Sequence, residues 1–377
     1  MEIKIKEVNS LKDLKRFINF PFKLYSENKY WVPPLIFDEI KNLRADKNPA
    51  FEFCKAKYWL AYKNGEIAGR IAGIINERYI EKWKNKYARF GWVDFIDDKT
   101  VSDALFNTFE KWAADNGMTA VHGPLGFTDL DYEGMLIEGF EELGTLATIY
   151  NYPYYPVHLE NRGYIKDVDW VEYEVKVPEI FPEKIKRIAD IVLRKYKLHI
   201  LNIKKAKDLL PYGKDLFNVL NSAYNELYGV VHLTEKQIDM YIKQYFSFIR
   251  TDFVPVILDR EGKIAGFAIT VPSLSIALQK SKGKLFPLGF LRILRSMRKN
   301  DLVDFYLIGV RPDLQGKGIN ALLIFELYKT YNKYKILRAE TNPELEDNRK
   351  IREQWKFFEN RQHKRRRCFI KQLDNNI

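Results

Sequence analysis

The sequence predicts a mixed α/β protein built from two copies of one unit, each a mixed, mostly antiparallel sheet flanked by helices. Short apolar runs that suit strands are separated by segments with helical apolar spacing. A turn-plus-strand pattern occurs twice, at 65–69 and 262–266, and four of its five residues are identical. The order hairpin, strand, helix, strand, helix, strand is the same around both copies, which indicates an internal repeat.

Composition limits the class of protein further. The chain has 377 residues, of which 46% are hydrophobic and 30% charged, as expected for a globular protein of about two domains. A net charge of +12 attracts anions in general without choosing among them. Two distant cysteines and five scattered histidines lack zinc-ligand spacing, so we expect no metal. Without an apolar leader or a run of about 18 apolar residues, the sequence predicts a cytoplasmic protein that does not span a membrane.

The predicted elements of the first unit follow from local signals. Asn64-Gly65 between apolar runs predicts a hairpin, Pro21 should end or kink the first helix, and Ser102 is the expected N-cap of a later helix. We predict strands at 1–8, 58–62, 67–75, 91–95, 119–122 and 164–177, and helices at 11–25, 102–117 and 157–161. Two prolines, Pro178 and Pro182, then indicate a boundary between a domain at 1–178 and another at 179–377.

The second unit repeats this order. A hairpin is predicted around Glu261-Gly262 because glycine supplies the positive φ of such turns. We predict helices at 184–194, 208–227, 235–248, 318–331 and 347–359, and strands at 199–203, 254–258, 263–271, 302–310, 336–341 and 367–372.

The segment 307–323 is the most informative part of the chain. An apolar strand ends at Val310, Pro312 interrupts it, and Gly316 and Gly318 lead directly into a helix. A helix begins with unpaired N–H groups and the positive end of its dipole, and glycines let an anion approach the backbone. Lys317 adds a positive charge. The glycines alone fit an anion seat and an ordinary glycine-rich turn equally well.

The pattern Pro312-x-x-Gln315-x-x-Gly318 resembles the acyl-CoA-binding motif of the GNAT N-acetyltransferase superfamily. The whole chain resembles bacterial tandem-GNAT proteins, through Trp31-Val32-Pro33-Pro34, Gly123-Pro124 and the segments 150–155 and 159–164. The resemblance implies an acetyl-CoA or other acyl-CoA substrate and a small-molecule amine acceptor. It further implies that the N–H of Val310 polarises the thioester. The cofactor-binding residues that it implies are Ile308, Val310, Gln315, Gly316, Lys317, Gly318, Ile319, Asn320 and Asn348.

Three features depart from the family's pattern. Asn320 stands where glycine or alanine is usual, and Trp355 stands where a catalytic tyrosine is often found. The first unit lacks the glycine motif altogether. We therefore expect its acyl-CoA site to be degenerate, and its role to be structural or substrate-binding.

Candidate catalytic residues come from the strand before the loop and from the next strand. The acceptor amine must lose a proton before it attacks, usually to a carboxylate or through water. Asp304 and Tyr306 are two residues apart on a predicted strand and should share a face. We expect Asp304 or Glu340 to be the base and Tyr306 to be a proton donor, although either carboxylate could instead have a structural role.

Three charged segments suggest further partners. Segment 278–300 is basic and amphipathic, so it could contact anionic lipid or CoA phosphates, but a helix packed on the domain is favoured. Segment 363–367 flanks the last predicted strand, which favours a charged sheet edge over nucleic-acid contact. The acidic segment 125–142 could attract a cationic amine, with the tyrosines of 150–155 in the same cleft.

Three functions remain open at this stage. The first is an acyl-CoA-dependent N-acyltransferase. The second is a catalytically degenerate protein that binds CoA or a partner, which Asn320 and Trp355 would favour. The third is an aminoacyl-tRNA-dependent transferase, although the sequence lacks a long helical-hairpin insertion with heptad spacing. The oligomeric state is left undefined by the sequence.

Overall fold

The computed structural model describes residues 2–246, 249–348 and 353–373. The first half contains β1 (Ile3–Glu7), α1 (Leu11–Leu24), α2 (Ile36–Asn42), β2 (Cys54–Lys63), β3 (Glu66–Asn76), α3 (Glu77–Trp83), β4 (Tyr87–Phe95), α4 (Lys99–Asp115), β5 (Ala120–Gly123), β6 (Met135–Glu138), α5 (Tyr154–Glu160) and β7 (Ile165–Lys176).

The second half contains α6 (Glu183–Lys195), β8 (His199–Ile200), α7 (Ala206–Leu209), α8 (Gly213–Ala223), α9 (Glu235–Tyr245), β9 (Val256–Leu258), β10 (Ile264–Pro272), α10 (Ser275–Ser281), α11 (Gly289–Arg298), β11 (Leu302–Val310), α12 (Ile319–Tyr334), β12 (Arg338–Thr341), β13 (Glu344–Leu345) and β14 (Asn360–Gln372).

In the described residues, fourteen strands form a single sheet in which the two halves exchange a strand. The order is β1-β2-β3-β4-β5-β14-β7-β12-β11-β10-β9-β8, with β6 paired to β14 and β13 paired to β7. The pairs β4–β5 and β11–β12 are parallel and the others antiparallel. Because β14 lies beside β5 and β7 lies beside β12, each half completes the sheet of the other. The internal repeat and the mixed, mostly antiparallel sheet are confirmed, and residue 178 lies in the connection between β7 and α6.

Helices cover both faces of this sheet. In the first half, α4 packs on the sheet through Leu105, Phe106 and Phe109, which are fully buried. In the second half, α6 and α12 cover one face of β10 and β11, while α8 and α9 cover the other face. Burial of apolar side chains on both faces therefore holds β11 in place. At its edge, β11 separates from β12 after Phe305.

In the first half, one helix continues past a proline that was expected to end or kink it, and another helix begins earlier than predicted. Helix α1 continues through Pro21 to Leu24, because the Phe17 carbonyl, which Pro21 cannot bond, accepts the Arg70 guanidinium at 3.0 Å. Helix α4 begins at Lys99 with Asp98 as its N-cap, three residues before the predicted start. The Ser102 hydroxyl instead donates to the Lys99 carbonyl.

The last strand also differs from its prediction. It runs from Asn360 to Gln372, so the basic segment 363–367 lies inside it rather than beside it. Strand β14 has neighbours on both sides and is central in the sheet, so the predicted charged edge is wrong. Across the described ranges, no helix combines the length and apolarity needed to cross a bilayer.

Candidate functional site

A gap opens between β11 and β12. Their parallel pairing runs from Leu302 opposite Arg338 to Phe305 opposite Thr341 and then stops, and β13 continues alongside β7 instead. On the other side of β11, the Arg311 N–H donates to the Ala265 carbonyl. Strand alternation then directs the N–H and C=O groups of residues 308 and 310 into the gap.

Two side-chain contacts agree with this orientation. The Tyr224 hydroxyl donates to the Ile308 carbonyl at 3.1 Å, and the Gln315 amide donates to the Val310 carbonyl at 3.2 Å. Gln315 therefore orders the end of the strand. Tyr224 was missed by the sequence reasoning, because no local signal distinguishes a tyrosine that follows α8.

A β-bulge marks the place where β11 leaves β12. Leu307 pairs with Ile269 and Phe305 pairs with Thr270, so Tyr306 is the extra residue on β11. Such a bulge bends the strand and resets its alternation. Accordingly, Leu307 packs with the α8–α9 cluster and Ile308 with the α12 cluster.

The loop after β11 leaves the start of α12 uncapped. Gly318 is the N-cap residue with φ of 85°, and no side chain caps the helix there. Among the described residues, the N–H groups of Gly316, Gly318, Ile319 and Asn320 donate to no backbone carbonyl. The Asn320 side chain turns towards Gln354. The backbone N–H of Asn320 therefore stays free, although the family usually has glycine or alanine at this position. These amides form a seat suited to an anion. The Lys317 ammonium, from the same loop, lies over the ring of Tyr196 at 5.6 Å from its centre.

The corresponding helix of the first half is closed to an anion. Helix α4 follows β4 as α12 follows β11, but the Asp98 carboxylate accepts the Thr100 N–H at 2.9 Å. The hydrogen bond from Lys63 is the main reason why the pKa of Asp98 lies far below its usual value. An ionised carboxylate therefore occupies this helix start. Leu125 also donates its N–H to the Phe90 carbonyl and closes the gap beside β4.

Asp304 is a buried carboxyl group at the edge of the gap in the second half. Its side chain lies next to that of Glu340, because the two residues pair across β11 and β12. Burial raises the pKa of Asp304 to about 7, and repulsion by Glu340 adds to that increase. The Tyr306 hydroxyl is 3.5 Å from Asp304 Oδ2, and Asp304 Oδ1 has no hydrogen-bond partner in the described structure. Asp304 and Tyr306 are thus brought together as predicted.

Glu340, the other candidate base, is engaged in a buried ion network. It pairs with the ammonium of Lys364, and Lys364 Nζ is also 3.6 Å from Glu172. Glu172 in turn pairs with the guanidinium of Arg366, and both side chains are almost fully buried. The basic segment thus neutralises carboxylates in the interior. Of the two candidate bases, only Glu340 forms an ion pair within the described residues, and the Lys364 charge acts on Asp304 from a greater distance.

The first half supplies an acidic loop to the same region. Burial raises the pKa of Asp129 to about 6 and the pKa of Glu133 well above its usual value. Both side chains keep part of their surface accessible, so they line a recess rather than a sealed core. Burial raises the pKa of Tyr306, and Tyr132, from the same loop, lies near enough to add to that increase. By contrast, the tyrosines of 150–155 pack in the core of the first half and do not share this recess.

The last predicted cofactor residue lies in a turn. Asn348 donates its N–H to the Leu345 carbonyl, and residues 349–352 of the predicted helix lie outside the described residues. Trp355 donates its indole N–H to Glu344 at 2.9 Å and packs edge-on against Phe305. Trp355, which stands where the family often has a catalytic tyrosine, therefore supplies no hydroxyl group.

Within the described residues, the fold also gathers two groups of metal-ligating side chains that are far apart in the sequence. His122, Asp167 and Cys368 form one, and Glu172, Glu340 and His363 form the other. The Tyr228 hydroxyl contacts all three members of the first group. The Lys364 ammonium pairs with both carboxylates of the second. Each centre is thus filled by a protein donor.

Comparison with known proteins identifies the fold. No family model matches the chain. It is 28% identical over 368 residues to protein YghO of Escherichia coli K12, covering 96% of this chain and 93% of that protein. It is 25% identical over 359 residues to a bacterial ceramide synthase of Caulobacter vibrioides, covering 89% and 90%.

Solved structures that resemble the whole chain show which fold it has. A tandem GNAT protein from the clavulanic acid biosynthesis pathway superposes with a TM-score of 0.56 and 11% identity, covering 99% of both chains. A GCN5-related N-acetyltransferase from Sphaerobacter thermophilus superposes with a TM-score of 0.51 and 11% identity, covering 100% of this chain and 97% of that one. The protein has the GNAT fold, with two such units in one chain.

Proposed function

We propose that the protein is an acyl-CoA-dependent N-acyltransferase whose working site lies in the second unit. The observation that carries this proposal is the difference between two corresponding helices. The α4 start is filled by Asp98, whereas the α12 start presents free amides beside a strand whose own amides face an open gap. The diphosphate of CoA fits the amides of 316–320, and the pantetheine arm would then run along residues 308–310.

The proposed reaction uses groups along β11. The N–H of Val310 would polarise the thioester carbonyl, and the carboxylate of Asp129 would attract the protonated acceptor amine. Asp304 would take one proton from the ammonium group, and the neutral amine nitrogen would then bond to the carbonyl carbon. The C–S bond would break as the nitrogen gives up its second proton, and that proton would pass to the departing thiolate to give CoA and the amide. Asp304 and Val310 are six residues apart, about 16–20 Å along the bulged strand. A chain of waters together with the Tyr306 hydroxyl must therefore relay the proton.

The ceramide synthase relative favours one pair of substrates for a first test. A ceramide is an amide between a fatty acid and a long-chain amino alcohol, so that protein's name describes N-acylation. We therefore propose a fatty acyl-CoA as donor and a long-chain aliphatic amine as acceptor. Acetyl-CoA and short polyamines form the comparison set.

Binding of CoA tests the seat directly. Gly316 and Gly65 both have positive φ and open space where a side chain would begin, so Gly316→Asp and Gly65→Asp introduce the same strain and the same charge. A carboxylate at the seat should repel the diphosphate. We expect Gly316→Asp to weaken CoA binding at least about tenfold, or ~1.4 kcal/mol, in calorimetry. Gly65→Asp should bind as the wild type does; equal weakening by both variants would reject the seat.

Turnover tests the chemistry separately. Release of the CoA thiol should require both a donor and an amine, and it should fail with the amine omitted. CoA binding without turnover across the full panel would leave the degenerate binding protein as the function and reject the transferase.

A further inference from the structure

We propose that the α10–α11 hairpin, residues 275–299, is a docking surface for an anionic lipid bilayer. This inference goes beyond acyl transfer, and its test does not depend on activity. It rests on three observations. The hairpin is fixed to the body of the protein, many of its apolar side chains face outwards, and its cations form no ion pair with the part of the chain that the structure describes.

The hairpin is held in place by several hydrogen bonds. The Gln279 amide donates to the carbonyls of Lys29 and Trp31, both at 2.9 Å. The Gly283 carbonyl accepts the Ile36 N–H. The Ser296 hydroxyl donates to the Ser273 carbonyl at 2.8 Å. The hairpin is thus a built part of the fold, tied to both halves of the chain.

Helix α11 turns apolar side chains to the solvent. Its inward face consists of Gly289, Ile293, Ser296 and Met297, which are buried or half-buried, whereas Leu291 and Leu294 are 51% and 45% exposed. The predicted packing of the apolar face on the domain is therefore wrong for Leu291 and Leu294. The exposed large apolar residues of the hairpin are Ile276, Phe286, Leu288, Phe290, Leu291 and Leu294.

Positive charge surrounds this apolar surface. The hairpin contains no aspartate or glutamate, and within the described ranges none of its cations forms an ion pair. Exposed apolar side chains flanked by lysine and arginine are the composition of segments that lie at the surface of anionic membranes. The basic residues are Lys280, Lys282, Lys284, Arg292, Arg295, Arg298 and Lys299.

The position of the hairpin excludes the alternative that it binds CoA phosphates. The hairpin adjoins the start of β11, at Leu302, whereas the anion seat follows the end of β11, at Val310. Eight residue steps along a strand separate these ends by about 26 Å. The hairpin instead lies near Asp304, because Ser273, whose carbonyl accepts the Ser296 hydroxyl, comes two residues after Val271, the partner of Asp304 on β10. A bilayer docked here could present a lipid amine to the recess.

Sedimentation of the full chain with vesicles tests the proposal. Phosphatidylcholine vesicles that contain about a third of phosphatidylglycerol should pellet the protein at low salt, and pure phosphatidylcholine vesicles should pellet much less. Binding should fall as salt rises, because part of it is electrostatic. Absence of binding to the anionic vesicles at low salt would overturn the proposal, and binding that requires an added protein partner would do the same.

Matched variants locate the surface. Leu291→Ser combined with Leu294→Ser should lower vesicle affinity by about tenfold or more, while Leu210→Ser, at a residue with 50% exposure elsewhere, should not. Arg295→Glu should reduce binding more than Arg260→Glu, which makes the same change of net charge in the β9–β10 turn. Circular dichroism would confirm that each variant is folded. If the hairpin and control variants bind equally well, the surface lies elsewhere and the proposal fails.

Discussion

Replacement of Glu340 by glutamine should move the pH dependence of acyl transfer towards acid. The pKa of Asp304 is raised to about 7 by burial and by the negative charge of Glu340. Asp304 is a base only when it is ionised, so kcat/KM should rise as pH increases through about 7. Removing the neighbouring charge favours the ionised form of Asp304, so the rise should occur at a lower pH in Glu340→Gln.

The size of this displacement follows from the geometry. Paired residues on adjacent strands are about 5 Å apart, and two charges at that distance interact by ~3 kcal/mol at an effective dielectric constant of about 20. The Lys364 ammonium already offsets part of the charge of Glu340. A net change of about 1.4 kcal/mol, which is one pH unit, is therefore expected.

The assay is thiol release from acyl-CoA at saturating donor, measured from pH 5.5 to 9 for the wild type and Glu340→Gln with the same amine. Deprotonation of the amine itself also raises the rate with pH, but it is identical for both enzymes and cannot produce a displacement. If the rise of kcat/KM with pH occurs at the same pH in Glu340→Gln, or at a higher pH, Asp304 is not the base.

Three further predictions use other parts of the structure. Asp304→Asn should lower kcat by about 10²–10⁴-fold with CoA affinity unchanged in calorimetry; a fully active variant would exclude the carboxylate. Arg366→Met should reduce the free energy of unfolding in urea by about 3–5 kcal/mol, because it strands the buried Glu172 charge, and Glu172→Leu in the same chain should recover most of that loss. Asp98→Ala should lower the free energy of unfolding by about 1 kcal/mol, because helix α4 loses its N-cap. The same substitution added to Gly316→Asp should not restore CoA binding; restored binding would contradict the assignment of the seat to α12.

Local sequence signals predicted much of the fold and the centre of the site. The Asn64-Gly65 turn, the strand at 302–310 and the glycines before α12 are all set by backbone preferences over a few residues. The pairing of Asp304 with Tyr306 followed from alternation along one strand. Their contact survived the bulge at Tyr306, although the bulge reverses the faces of the residues that follow it.

Contacts between distant segments could not be predicted in this way. Lys364 and Arg366 are buried because Glu172, about 190 residues earlier, and Glu340 meet them across the sheet. A basic segment read alone has the composition of a solvated surface. Helix α1 likewise tolerates Pro21 only because a guanidinium arrives from another strand. The role of Tyr224 depends on where α8 ends in space.

Because the two units exchange a strand, neither can complete its sheet without the other. Until residues 360–372 have been synthesised and inserted between β5 and β7, those two strands have edges that nothing pairs, and exposed edges are sites of misassociation. A cut anywhere between residues 177 and 359 would leave the fragments interlocked through β7 and β14. We therefore expect the nicked protein to stay together, and neither fragment to fold when it is made separately.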